Sequence, residues 1–241
     1  MRDALIVFAR LPRPGQVKTR LCPPLSSEQA AALYAAMLDD VLEVTAEAAR
    51  RYDLDAVLEV TPERGVSELR ERCPAGFRVL PQRGRDLSER MRGALAAATA
   101  RGARRVLLRG SDSPALPAER IGEALEALAD HELVVSPDRD GGYGLIGLHG
   151  SAPDLFSHPM STPHVLRDTL EQARRAGLRS HLLEAGFDID RVADLRWLDD
   201  ARAAGRASAC PRTLRYLDEH ALWQLAHLPS SGVLAEGRSA R

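Results

Sequence analysis

Short apolar runs alternate along this chain with longer stretches whose apolar residues recur at helical period, and no other feature narrows the fold so far. Leu5-Ile6-Val7-Phe8 is a continuous run of the kind seen in a parallel strand covered on both faces. Ser26 or Ser27 then suits the cap of a long helix, which carries Leu33, Tyr34, Met37, Leu38, Val41 and Leu42 on one stripe. The same reading predicts further strands at 56–60, 77–80, 105–108, 133–135 and 144–148. Helices are expected at 63–72, at 87–100, after Pro117, and at 163–176, 191–204 and 211–225, the last three each with proline or aspartate at the N-terminal end. Repeated strand-helix units imply one α/β domain, a mostly parallel sheet with helices on both faces, whose ligands bind at the carboxyl ends of the strands.

Size and charge agree with a single domain. A chain of 241 residues that is 44% hydrophobic can bury one full core, and no linker or repeat divides it. Residues 1–228 are read as that domain, 205–228 as a C-terminal helical extension suited to packing or to a homodimer contact, and 229–241 as a disordered tail. Lysines and arginines (33) nearly balance aspartates and glutamates (34), so no global field draws nucleic acid or an anionic membrane, and phosphate recognition has to be local. The first apolar run is too short to span a bilayer, so a cytoplasmic protein is expected. Three scattered cysteines and seven scattered histidines match no disulfide framework or zinc site.

Four segments carry chemistry. The stretch from Arg10 to Leu21 places Arg10, Arg13, Lys18 and Arg20 around Gly15 and Thr19 just after the first strand. Backbone amides near Gly15 suit phosphate oxygens, Lys18 a point charge and Arg20 a bidentate fork. It is not a Walker A loop, and a solvated basic loop explains it equally well. Gly110-Ser111-Asp112-Ser113-Pro114 puts a carboxylate at a strand's carboxyl end, where magnesium would meet substrate phosphates; the plainer explanation is a capped turn before proline. Ser136 to Gly144, with Asp140-Gly141-Gly142-Tyr143, is either a loop binding sugar or acceptor, or simply a hairpin turn. Asp188-Ile189-Asp190 could supply a second metal carboxylate, unless Asp190 is only a helix cap. The first three all follow strands, and one crevice would gather them.

At these residues the chain resembles the small bacterial glycosyltransferases of the nucleotide-diphospho-sugar transferase superfamily, with its GT-A, Rossmann-like fold. The resemblance rests on Phe8-Ala9-Arg10-x-Pro12-x-Pro14-Gly15-x-Val17-Lys18-Thr19-Arg20-Leu21, Gly110-Ser111-Asp112-Ser113-Pro114, Asp140-Gly141-Gly142-Tyr143, Ser161-Thr162 and Asp188-Ile189-Asp190, in that order. One branch of that family is associated with arsenosugar biosynthesis, and related guanylyltransferases and cytidylyltransferases share the first and last motifs. Arg10, Ser111, Ser113 and Leu87-Ser88 depart mildly from its pattern.

The resemblance implies catalytic Lys18, Asp112 and Asp190, with Asp112 and Asp190 holding Mg2+ or Mn2+. It implies a nucleotide site of Arg10, Gly15, Lys18, Thr19, Arg20, Ser111 and Gln82, the last near the base. Asp140, Gly141, Gly142, Tyr143, Ser161 and Thr162 would face the donor sugar or a small-molecule acceptor. The expectation is metal-dependent glycosyl transfer from a nucleotide diphosphate-sugar. The alternative is nucleotidyl transfer from a nucleoside triphosphate to a phosphorylated small molecule with release of pyrophosphate, which the charge of the basic loop favours. A noncatalytic nucleotide-binding protein would have lost the loop or a carboxylate, and both are present.

Overall fold

The computed structural model describes residues 2–150, 155–160 and 162–227. Its strands are β1 (Asp3–Arg10), β2 (Leu54–Thr61), β3 (Arg78–Pro81), β4 (Arg105–Gly110), β5 (Leu133–Pro137), β6 (Tyr143–His149) and β7 (Ser180–Leu182). Its helices are α1 (Ser27–Tyr52), α2 (Val66–Arg72), α3 (Leu87–Ala100), α4 (Ala118–Ala127), α5 (Val165–Arg175), α6 (Leu195–Ala203) and α7 (Pro211–Glu219). The strands form one sheet in the order β3-β2-β1-β4-β6-β5-β7, parallel throughout except for β6.

Leu5, Ile6 and Val7 of β1 are fully buried because helices cover both faces of the sheet. On one face, Ile6, Phe8, Val106 and Leu108 pack with Met91, Ala94 and Leu95 of α3 and Ala173 of α5. On the other, Leu5 and Leu107 meet α1 and α4, and Val7 and Leu58 meet Leu38, Val41 and Leu42. Helix α1 starts at a capping box in which Ser26 accepts from the Gln29 amide while the Gln29 side chain accepts from the Ser26 amide.

The chain turns in two directions from β1, to β2 on one side and to β4 on the other, and the crevice between their carboxyl ends is the switch point. β6 is inserted antiparallel between β4 and β5, so its first residues lie at the carboxyl ends of both neighbours. The Asp140-Gly141 turn is therefore a hairpin that also sits at the ligand-binding edge. Asp138 N–H donates to the Gly142 carbonyl and Gly141 N–H to the Asp138 carbonyl, with Gly141 at φ +91° where a side chain would strike the Pro163 carbonyl.

Several expected boundaries move. Helix α5 begins after His164 rather than at Pro163. A single turn over Val192–Asp194 precedes α6, which starts at Leu195. The helix expected to reach residue 225 stops at Glu219 and is followed by a separate turn, Trp223–His227. β7 has no counterpart among the expected strands, since Ser-His-Leu is too short and too polar to stand out. Within the extension, Leu217, Leu222 and Ala226 pack with α1 and α6 into one further apolar cluster. The expected tail at 229–241 and the residue Ser161 lie outside the described residues.

Candidate active site

Lys18 organises the crevice. It closes the loop after β1 in a left-handed conformation, φ 49°, which a residue with a Cβ adopts only under constraint from its surroundings. Its side chain is only 4% exposed, and its Nζ lies 2.6 Å from Asp112 Oδ1 and 3.8 Å from Asp190 Oδ1. The Tyr34 ring of α1 stands beneath the ammonium, 6.0 Å from centroid to Nζ. Tyr34 Oη in turn accepts from the Arg10 amide at 2.9 Å and shares a 2.7 Å hydrogen bond with Ser111 Oγ, linking the two loops that flank the switch point. Burial pushes the Tyr34 hydroxyl well above its ordinary value, so it remains a neutral hydrogen-bonding strut.

Asp112 and Asp190 are thus brought together on one cation, and neither serves the plainer role weighed for it. Asp190 does not cap the following turn. Asp194 does, its Oδ2 accepting from the Asp190 and Arg191 amides at 3.0 and 2.6 Å. Asp190 Oδ2 instead accepts from Arg20 at 2.7 Å. The two carboxylate loops are tied by the Ile189 amide, which donates to the Asp112 carbonyl at 2.9 Å.

Behind them stand two carboxylates outside the expected site. Asp138 is buried, and its carboxyl is pushed up to about 8, chiefly by burial and then by the charges of Asp188 and Asp140. Asp188 is pushed up to about 7 for the same first reason, with Asp140 adding to the rise and Lys18 opposing it. Asp138 Oδ2 accepts from Ser113 Oγ at 3.3 Å, and its carboxylate occupies the space where side chains on Gly144 and Gly186 would lie. Arg109, wholly buried on β4, donates to the Ser113 carbonyl at 3.0 Å and adds its positive charge near Asp138. The apparent excess of acid in Asp-Arg-Asp and Asp-Ile-Asp could have flagged Asp138 and Asp188; nothing local flags Tyr34, whose position on the apolar stripe of α1 reads as core.

The other expected residues divide. Arg10 and Thr19 are exposed at the rim of the loop, and Gly15 takes φ +72° with open space beside it. Gln82 reaches across the strand ends, its Nε2 donating to the Glu59 and Ala9 carbonyls at 3.0 and 3.3 Å. Ser111 is buried against Tyr34, which makes it a strut of the loop rather than an open contact for a ligand. Asp140 Oδ1 accepts from the Gly142 amide at 2.7 Å and steadies the hairpin, and Thr162 Oγ1 accepts from the His164 amide at 3.3 Å. Tyr143 is largely buried against the α3 face, with its hydroxyl near Thr169 of α5. Among the described residues no three histidine, cysteine or acidic side chains form a ready metal cage. No helix among them is long and apolar enough to cross a membrane.

Known proteins are similar to this chain in sequence and in fold. A family described as an uncharacterized protein conserved in bacteria (DUF2064) matches residues 44–162. The chain is 36% identical over 184 residues to the 3-phospho-D-glycerate guanylyltransferase of Phenylobacterium zucineum (strain HLK1), covering 73% of this chain and 81% of that one. It is 31% identical over 207 residues to the phosphoenolpyruvate guanylyltransferase of Sphaerobacter thermophilus, covering 84% and 96%. A solved structure from Desulfovibrio desulfuricans G20, provisionally named a nucleotide-diphospho-sugar transferase, superposes with a TM-score of 0.81 at 32% identity over 94% of this chain and 99% of that one. A cytidylyltransferase from Leptospira borgpetersenii shares the fold, with a TM-score of 0.57 at 12% identity over 95% and 98%.

Proposed function

We propose, from the premise that the chain belongs to the nucleotide-diphospho-sugar transferase superfamily as a homologue of its guanylyltransferases, that it is a nucleotidylyltransferase joining a nucleoside monophosphate from GTP to a small phosphorylated acid. The observation that carries this reading is the buried ammonium of Lys18, held at the switch point by Asp112 and Asp190 in a loop otherwise rich in cations. A triphosphate brings more negative charge to that loop than a diphosphate-sugar does. An acceptor phosphate oxygen attacks the α-phosphorus, a new P–O bond forms as the α–β bridging bond breaks, and pyrophosphate leaves with that electron pair. Such a phosphate is already ionised at neutral pH, its second pKa being about 6, so the reaction asks for no general base.

In this reading Lys18 exchanges its contact with Asp112 for phosphate oxygens and stabilises the charge that develops as pyrophosphate departs. Arg20 lies at the mouth, where it can leave Asp190 cheaply because both groups are partly solvated. On the acceptor side, the guanidinium groups of Arg139 and Arg196 stack on the Trp197 ring at 4.0 and 4.3 Å, and neither has a carboxylate partner among the described residues. They supply positive charge next to the Asp140 hairpin for an anionic acceptor.

Magnesium or manganese fits this site. Asp112 and Asp190 already converge on one positive charge, and the raised carboxyls of Asp138 and Asp188 mark a cluster short of countercharge. Asp112 and Asp190 would hold the ion, which when bound neutralises triphosphate oxygens; magnesium typically takes one or two carboxylates and completes its shell from phosphate and water.

Glycosyl transfer from a nucleotide diphosphate-sugar stands second. A hydroxyl acceptor would need a base, and Asp138 has a suitable pKa, but it is buried behind Ser113. The test supplies GTP with 3-phosphoglycerate or phosphoenolpyruvate in one arm and GDP-sugars in the other, each with magnesium. Pyrophosphate released from GTP only when the phosphorylated acid is present, and lost in Asp112→Ala, supports the proposal. Release of GDP from the sugar donor without any pyrophosphate from GTP overturns it.

A further inference from the structure

Lys18 is the only lysine of the chain; all the others among its 33 lysines and arginines are arginine. That one ammonium stands where a divalent ion on the two aspartates would have to sit. Asp112 Oδ1 is 2.6 Å from its Nζ and Asp190 Oδ1 is 3.8 Å away, while Asp190 Oδ2 accepts from Arg20 at 2.7 Å. Both carboxylates that would hold the metal are therefore already paired with cations of the chain itself. Magnesium approaches a carboxylate oxygen to about 2.0–2.1 Å, so an ion on Asp112 and Asp190 meets the Lys18 ammonium at close range.

The ammonium has no solvent to retreat into. Its side chain is 4% exposed, the Tyr34 ring stands beneath it, and its backbone sits at φ 49°. Under the Asp112 loop the guanidinium of Arg109, wholly buried and held to the Ser113 carbonyl, adds a positive charge that cannot leave. Arg20 differs, being mostly exposed and free to swing into water at little cost. A phosphate chain supplies what solvent does not, oxygen acceptors for the ammonium inside the crevice. Lysine suits such an exchange, because a compact charge on a flexible stem passes between partners, where the planar fork of arginine would grip both oxygens of one carboxylate.

We infer that Lys18 is a resident placeholder for the metal: it keeps a free divalent ion off Asp112 and Asp190 until nucleotide phosphates draw its ammonium away, so that the metal enters with the nucleotide or after it. Charge sets this order. An ion arriving alone adds two positive charges beside Lys18 and Arg20, whereas a triphosphate brings negative charge for all three cations. The exchange reverses at the end of a turnover, when Lys18 returns to Asp112 as pyrophosphate departs and competes for the carboxylate that the ion is leaving. The inference rests on the proposal above only in that phosphates bind at the Lys18 loop and a divalent ion at the two aspartates.

The experiment reads the metal and the lysine separately, on the full chain and without acceptor. Binding of Mn2+ alone is titrated by electron paramagnetic resonance for the wild type and Lys18→Met, which keeps the reach of the side chain without its charge. Lys18→Met is expected to bind Mn2+ about ten-fold or more tightly than the wild type, the worth of one competing charge-assisted contact. Equal or weaker binding by the folded variant overturns the inference. Because the chain has one lysine, growth on lysine labelled with carbon-13 at Cε gives a single side-chain signal, which reads the wild type without any substitution. Mg2+ alone is expected to leave that signal in place, and a GTP analogue with a methylene bridge between the α and β phosphates, added without metal, to shift it. A shift by Mg2+ alone that matches the shift by the analogue overturns the inference, as does a signal that the analogue fails to move. Displacement of Lys18 by the analogue, followed by tight metal binding but without pyrophosphate release from GTP with any phosphorylated acid, would instead refute the nucleotidyl transfer reading and leave the inference standing.

Discussion

Lys18 combines two features that folding alone disfavours, a left-handed backbone and a buried ammonium, and the three partners that compensate them come from different parts of the chain: Asp112, Asp190 and the ring of Tyr34. Removing a preorganised charge aimed at a developing one costs about 10²–10³ in kcat. Lys18→Ala is therefore expected to lower pyrophosphate release by that factor while still melting cooperatively; activity within a few-fold of wild type would refute the role. Asp138 gives a prediction in pH. Its carboxyl, ordinarily at 3.8, is raised to about 8 by burial and by Asp188, Asp140 and Asp112, against the pull of Ser113 and with Arg109 nearby. A raised acid stabilises the fold fully below its unfolded pKa and loses that contribution as pH rises through the folded value. Asp138→Asn, which cannot ionise, should melt close to wild type below about pH 4 and increasingly above it as the pH rises toward about 8. Melting curves that stay parallel across that range would contradict the assignment. At the acceptor side, Arg139→Ala should raise the acceptor KM about ten-fold, the cost of one lost charge-assisted contact, with the KM for GTP unchanged. An equal rise in both would place Arg139 elsewhere.

Among the elements, α7 depends on a single buried acid. Asp40 of α1 accepts from the Arg212 amide at 3.0 Å and from the Thr213 amide and hydroxyl at 2.7 Å each, and so caps the first turn of α7 from another helix. Asp40→Ala leaves those donors buried and unpaired, and a loss of about 2–4 kcal/mol is expected in denaturant unfolding. A change below about 0.5 kcal/mol, the usual scatter of a surface substitution, would mean that α7 is held by its apolar contacts alone. The helices with long apolar stripes were legible in the sequence because period and caps agree, as at Ser26 and Gln29 of α1. β7 and the direction of β6 were not. β7 exists because its backbone pairs with β5, and β6 runs antiparallel because the Asp140-Gly141 turn is only a few residues long, too short for a parallel crossover.

At the scale of the whole molecule, a ligand that binds only the folded chain raises its apparent stability by mass action, about 2.7 kcal/mol at one hundred times Kd. For a domain of this size that corresponds to about 5–10 °C in Tm. GTP with magnesium should give a shift of that order at saturation, and Asp112→Ala should abolish most of it; an equal shift in the variant would show that the nucleotide binds without that carboxylate. The sequence by itself determined the class of fold, because alternating strand and helix periods allow few packings, and it located the loops that matter, because a cation-rich turn or a carboxylate after an apolar run is visible locally. It also left glycosyl and nucleotidyl transfer nearly balanced, since both need the same loop and the same two aspartates. Only the tertiary structure decided that Lys18 stands between Asp112 and Asp190, that Tyr34 braces it, that Asp138 and Glu59 are buried acids, and that Ser111 is a strut. Those facts depend on which residues, distant along the chain, share a strand end or a helix face, and charge burial is a property of the assembled core that no local pattern of residue types records.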